Sequence, residues 1–170
     1  MPASLVTANL KFAVDISVGD PIAPSPQLVQ LPCVLTDDTI ELVGYPIVMV
    51  HAEKLVTALQ RGTVNTRWRD FADIWTLNRH RDCQGAELQA ALTAVARYRG
   101  VALEALFPTL GGYAELSQVR WSLWRAKQNL DTPLPEQFAD VLTDIARFAD
   151  SALLGQAVGK SWKADADAWQ

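Results

Sequence analysis

Long apolar runs, cysteines and histidines are all scarce in this chain, and each scarcity closes off a class of function. No uninterrupted apolar stretch approaches the ~20 residues that span a bilayer, so a membrane-spanning role is set aside. The opening residues MPASLVTANLKFAVD lack the basic start and unbroken apolar centre of a secretory leader, which leaves the cytoplasm as the expected compartment. Cys33 and Cys83 are the sole cysteines, too few and too unpatterned for a disulfide framework or a zinc site. The two histidines, His51 and His80, have no second ligand at metal-binding spacing and read as structural. No internal repeat is visible.

What the chain does have is apolar bulk. At 170 residues, 49% apolar and 20% charged, it reads as one globular domain long enough to bury a core. The net charge of −4 conceals a segregation. From Arg61 to Lys127 there are 10 Lys/Arg against 6 Asp/Glu, whereas the remainder holds 5 against 13. A basic middle attracts phosphate, although ordinary helix surfaces also carry such charge.

Periodicity divides the chain into a short sheet part and a long helical part. Over 10–18, Leu10, Phe12, Val14, Ile16 and Val18 alternate with Lys11, Ala13, Asp15 and Ser17, the period of a strand with one face on a core. Pro21, Pro24 and Pro26 then forbid a ladder, so a loop follows. A second strand is predicted over 39–43, ending at Gly44, and a helix over about 46–59 with Pro46 in its first turn. Asn65 or Thr66 caps the next helix, which offers Trp68, Phe71, Ile74 and Trp75 for burial up to Leu77. Further helices are predicted over 86–99, 116–129 and 134–154, separated by Gly100, Gly111-Gly112 and Asp131-Thr132-Pro133. The tail over 161–170 has weak periodicity and is expected to fray. The fold class expected is α+β, a small mixed sheet within 1–80 followed by a C-terminal helical bundle over 81–160.

Ionisable residues bunch around one connection, in the stretch HAEKLVTALQRGTVNTRWRDFADIWTL over 51–77. Glu53 and Lys54 precede the turn at Gly62, and Arg67, Arg69, Asp70 and Asp73 follow it. A solvated face would spread its charges along each helix; charges gathered at one corner mark a site candidate. Lys54 suits a phosphate, or a salt bridge to Asp70 or Asp73. Arg67–Asp70 and Arg69–Asp73 are also ordinary i,i+3 and i,i+4 pairs, worth a few tenths of a kcal/mol each. On the first strand, Asp15 projects from the polar face, where a carboxylate is either a divalent-metal ligand or simply hydrated.

Together, the tracts FAVDISVGD, YPIVMVHAEKLVTAL and RGTVNTRWRDFADIWTL resemble the AbiEii-type nucleotidyltransferase toxins, the toxin half of bacterial abortive-infection toxin–antitoxin systems. The likeness covers about residues 11–77, and Trp121, Trp124 and Phe138 fit the family's helical C-terminal half. The resemblance implies a partial nucleotidyltransferase-type sheet over 1–80. It implies that Asp15 is the third carboxylate of a magnesium-binding face and that Lys54 contacts the nucleoside triphosphate. Arg69-Asp70 stands where the family has Lys-Asp, which makes Asp70 the aspartate of the last active-site motif and Asp73 its helical companion. Arg67 matches the preceding basic position. Asp15, Lys54 and Asp70 are thus the expected catalytic residues, and Lys54, Arg67, Arg69 and Asp73 the expected nucleotide contacts. The reaction implied moves a nucleotidyl group onto an acceptor, RNA being one candidate, and the implied protein partner is an antitoxin in a phage-defence system. The family's first motif, Gly-Gly/Ser followed by Asp-x-Asp, should precede Lys11, where ten residues without aspartate stand. An N-terminally truncated, inactive member is therefore expected. The alternative is a catalytically inactive remnant that binds antitoxin or nucleotide.

Overall fold

A computed structural model describes residues 2–5, 8–11, 19, 21–128 and 134–170. Strands β1 (Pro2–Leu5) and β2 (Ala8–Lys11) form an antiparallel pair with Pro2 opposite Lys11. Of the strand predicted over 10–18, residues 12–18 lie outside the described residues, and Asp15 with them. A second hairpin joins β3 (Gln27–Pro32) to β4 (Thr39–Gly44), with Gln27 opposite Gly44. Strand β4 falls where the sequence puts it. Strand β3 was not expected, because QLVQLP follows a proline-rich loop and itself ends on proline. Pro32 is tolerated there as the last residue of a strand with a single paired neighbour among the described residues. Gly44 is needed for closeness: a Cβ on it would lie 2.7 Å from the Val29 side chain.

Helix α1 (Ile47–Arg61) starts after Pro46 and buries Val48, Met49, Ala52, Leu55 and Val56, a stripe at helical spacing. Gly62, at φ 53°, stops it in a left-handed conformation that a Cβ would strain. A 3-10 turn over Gly62–Val64 leads to α2 (Trp68–His80), then β5 (Cys83–Gln84) and α3 (Gly85–Arg99). A short α4 (Leu106–Thr109), α5 (Tyr113–Arg125) and α6 (Phe138–Leu153) complete the helices. One apolar cluster runs through α1, α2, α3, α5 and α6. Its aromatic hub is Phe138, 5.0 Å from Trp121 and 5.4 Å from both Phe71 and Tyr113. Among the described residues no helix is long and apolar enough to cross a membrane.

Two expectations are corrected. The tail does not fray: β6 (Ser161–Lys163) and β7 (Ala168–Trp169) pair with β5 in a three-stranded sheet ordered β5-β6-β7. Trp162 is fully buried and donates its indole N–H to the Asn78 carbonyl at 2.6 Å, and Trp169 donates to the Phe148 carbonyl at 2.9 Å. One buried anchor and one half-buried anchor replace the periodicity that short strands cannot show. The expected single mixed sheet is replaced, among the described residues, by three separate antiparallel sheets. The α+β class stands.

Candidate functional site

The corner between α1 and α2 is set by a few backbone and side-chain locks. Gly62 turns the chain out of α1, and its N–H still bonds the Ala58 carbonyl. Buried Asn65 then accepts the Arg67 N–H on its Oδ1 at 2.9 Å, while its own carbonyl accepts the Tyr113 hydroxyl from α5. The residue flanking α2 is Arg67 rather than Asn65 or Thr66, so Asn65 acts two residues ahead of the cap. This fixes the Arg67 backbone and aims its side chain at the first turn of α2. Asp70 falls in that turn, where a carboxylate also suits the helix dipole.

Four of the predicted residues meet there. Lys54 Nζ lies 2.9 Å from Asp70 Oδ1 and 2.8 Å from Asp73 Oδ2. Arg67 Nε donates to Asp70 Oδ2, and its Nη2 is 3.4 Å from Asp70 Oδ1. Asp70 thus serves two cations and is nearly sealed, its side chain 7% exposed against 38% for Asp73. A carboxylate that far from water is tolerated only because its charge is matched and its lone pairs are used. Arg69 stands at the margin, 86% exposed and 4.0 Å from Asp73. Asp15 lies outside the described residues.

Beside the cluster opens a pocket of about 340 Å³ whose walls include Glu53, Lys54, Arg61, Arg67, Asp70 and Arg99. Arg99, from the last turn of α3, is one of two pocket residues that sequence reasoning missed, Arg61 at the end of α1 being the other. Arg99 donates Nη2 to Glu53 and Nη1 to Thr57 Oγ1 at 2.7 Å. Its position in the chain reads as a cation complementing the end of a helix, and only the fold brings it across to α1. Arg61 makes no ion pair among the described residues. Four cations against two carboxylates leave the walls positive, which favours an anionic ligand.

His51, one turn before Lys54, is buried against Phe148 with ring centroids 4.8 Å apart. Burial first, and the Lys54 charge second, push its pKa down to about 4. It is a neutral core side chain, as its isolation in the sequence implies.

The carboxylates of the pocket do not fit a magnesium ion. Hard divalent cations require several free oxygen ligands. Asp70 gives both oxygens to Lys54 and Arg67 and Asp73 gives Oδ2 to Lys54, and among the described residues no three His, Cys, Asp or Glu side chains gather as a ligand set. What the arrangement can do is hold a charged, oxygen-rich group against Lys54. An ammonium has three N–H donors, and two are fixed on carboxylates, so the third has a defined direction.

The model of one protein family, described as "Nucleotidyl transferase AbiEii toxin, Type IV TA system", matches residues 1–166. No curated protein and no solved structure matches the chain. That match takes in both the Lys54–Asp70 corner and the helices that support it. On this coverage the chain belongs to the AbiEii family of nucleotidyltransferase toxins of type IV toxin–antitoxin systems.

Proposed function

We propose that the pocket beside Lys54 binds the triphosphate of a nucleoside triphosphate, for transfer of the nucleotidyl group to an acceptor, RNA being the leading candidate. The observation that carries this reading is the Lys54 ammonium, oriented by Asp70 and Asp73 at the edge of a pocket that also presents Arg61, Arg67 and Arg99. In nucleotidyl transfer an acceptor hydroxyl attacks the α-phosphorus, its proton passes to solvent water, and the bond to the pyrophosphate oxygen breaks. Charge develops on the departing pyrophosphate, and preorganised cations stabilise it without reorganising during the step. Lys54, Arg61 and Arg67 are assigned that work. Asp70 and Asp73 are positioning residues, because each touches Lys54 rather than the phosphate. Magnesium, which the family resemblance implies, needs carboxylates other than this pair, and Asp15 is the one assigned to it.

A second reading, a binding module without transfer, is favoured by one observation: Asp70, the α2 carboxylate that lines the pocket, has both oxygens held by cations and so is not free as a base. Filter binding of radiolabelled nucleoside triphosphates, with a transfer assay onto bulk RNA, tests both. Retention by wild type that drops about tenfold or more in Lys54→Ala supports the phosphate site, in line with loss of a charge-assisted contact. Transfer abolished in Asp70→Ala supports the enzyme, and retention without transfer supports the module. Absence of retention, or equal retention by Lys54→Ala, overturns both.

A further inference from the structure

Asp73 has two sides. One faces Lys54; the other helps line a second pocket, of about 380 Å³, with Val50, Arg69, Leu77, Trp124 and Gln128. Val50, one turn before Lys54, lines both pockets, so they adjoin across the ion-paired cluster. The chemistry of the second differs from that of the first. It is mainly apolar, with a half-buried indole, a primary amide and one exposed guanidinium.

Trp124 is held for presentation. One face of it stacks on Trp121, with centroids 5.3 Å apart and planes 28° from parallel, and Trp121 is itself fully buried and fixed by its bond to the Pro135 carbonyl. Four of the six tryptophans donate their indole N–H to a named acceptor, whereas Trp124 donates to none among the described residues. Gln128 spends one amide hydrogen on the Trp124 carbonyl at 3.1 Å, which ties the amide to the residue whose ring lines the same pocket, and its oxygen has no bond among the described residues. A rigid aromatic face, an unused N–H donor, a free amide oxygen and an Arg at the rim make a set that suits a planar heterocycle bearing hydrogen-bonding edges and a nearby phosphate.

We propose that this second pocket is a nucleobase subsite, in which a base stacks on Trp124 and is read by its indole N–H and the Gln128 oxygen. The proposal rests on the reading of the Lys54 pocket as a phosphate site, since adjacency to that pocket places the base. A base could come from the bound nucleoside triphosphate itself or from an acceptor RNA strand.

The experiment separates these sources, and separates this proposal from the one beneath it. ATP, GTP, CTP, UTP, inorganic tripolyphosphate and a short single-stranded RNA are each titrated into wild type, Trp124→Ala, Gln128→Ala and Lys54→Ala. Stacking on an aromatic side chain predicts a loss of about tenfold in Trp124→Ala, with tripolyphosphate binding unchanged. A smaller loss is expected in Gln128→Ala, which leaves the packing of Trp124 on Trp121 in place. If the loss falls on the nucleotides, the base is the donor's; if it falls on the RNA alone, the base is the acceptor's. Because Trp124→Ala removes a ring that touches the core, the wild-type protein supplies a second readout, in which the Trp124 indole N–H resonance shifts on ligand addition. Unchanged affinity of every base-bearing ligand in both Trp124→Ala and Gln128→Ala, with a stationary Trp124 resonance, overturns the subsite. Tripolyphosphate binding that survives in Lys54→Ala overturns the phosphate reading instead.

Discussion

Asp70 accepts bonds from Lys54 and Arg67 while nearly sealed from water; Asp73 holds the same lysine from a position five times more open. Removing Asp70 leaves Arg67 without its carboxylate and the poorly hydrated Lys54 with Asp73 alone, whereas removing Asp73 loses a more hydrated pair. Asp70→Ala is therefore expected to cost about 2 kcal/mol of stability, and Asp73→Ala at most about 1 kcal/mol. Urea midpoints measure both, and equal costs would contradict the burial argument. His51 supplies a pH signature. Its folded pKa lies near 4, below the ordinary 6.5, so the unfolded chain takes up a proton first as pH falls. Stability is complete above about pH 6.5 and declines between there and pH 4, by on the order of 3 kcal/mol. His51→Phe should flatten that slope. The lysine and both aspartates were legible in the sequence because helical spacing puts Asp70 and Asp73 on one face and the charges crowd one turn. Arg99 was not, since nothing in its own neighbourhood distinguishes it from a cation at the end of a helix.

Gly85 shows how an element can depend on an absent atom. It opens α3 where the chain approaches the tail, and its N–H bonds the Lys160 carbonyl at 2.9 Å. A Cβ there would lie 1.8 Å from the Ala157 carbonyl oxygen, and backbone on both sides leaves little room to yield. Gly85→Ala should cost about 3 kcal/mol and release β6 and β7, detectable as new protease cleavage beyond Lys160. Trp162→Ala should cost about 3–5 kcal/mol through the cavity it leaves. Wild-type protease resistance in Gly85→Ala would contradict the packing described. Helix α1 and strand β4 were readable because a stripe at helical spacing and a β-rich run ending in glycine each carry their own period. The three residues of β6 and two of β7 carry none. Their order comes from Trp162 and Trp169 reaching the core, a long-range effect that no local window contains.

At the scale of the molecule, the helical half has a closed core while the β3–β4 hairpin stays open. Val34 and Leu35 at its turn are 97% and 94% exposed, and Leu28 and Val43 are each 69% exposed. Apolar surface on a strand pair that has no further strand neighbour among the described residues favours association. Sedimentation should show concentration-dependent self-association that weakens in Val34→Lys/Leu35→Lys, and a strictly monomeric wild type would contradict this. The α+β class was legible because the strand-like periods come first and the helical ones follow. The division into three antiparallel sheets was not, because pairing partners are chosen by tertiary contact. Membership in a toxin–antitoxin family implies a cognate antitoxin, while nucleotide binding turns on Lys54 and its pocket. ATP titrated calorimetrically into wild type and Lys54→Ala measures that dependence. Saturable binding is expected of wild type, and a loss of about tenfold or more of the variant. Equal affinity in the two proteins, or no binding by wild type, would contradict it.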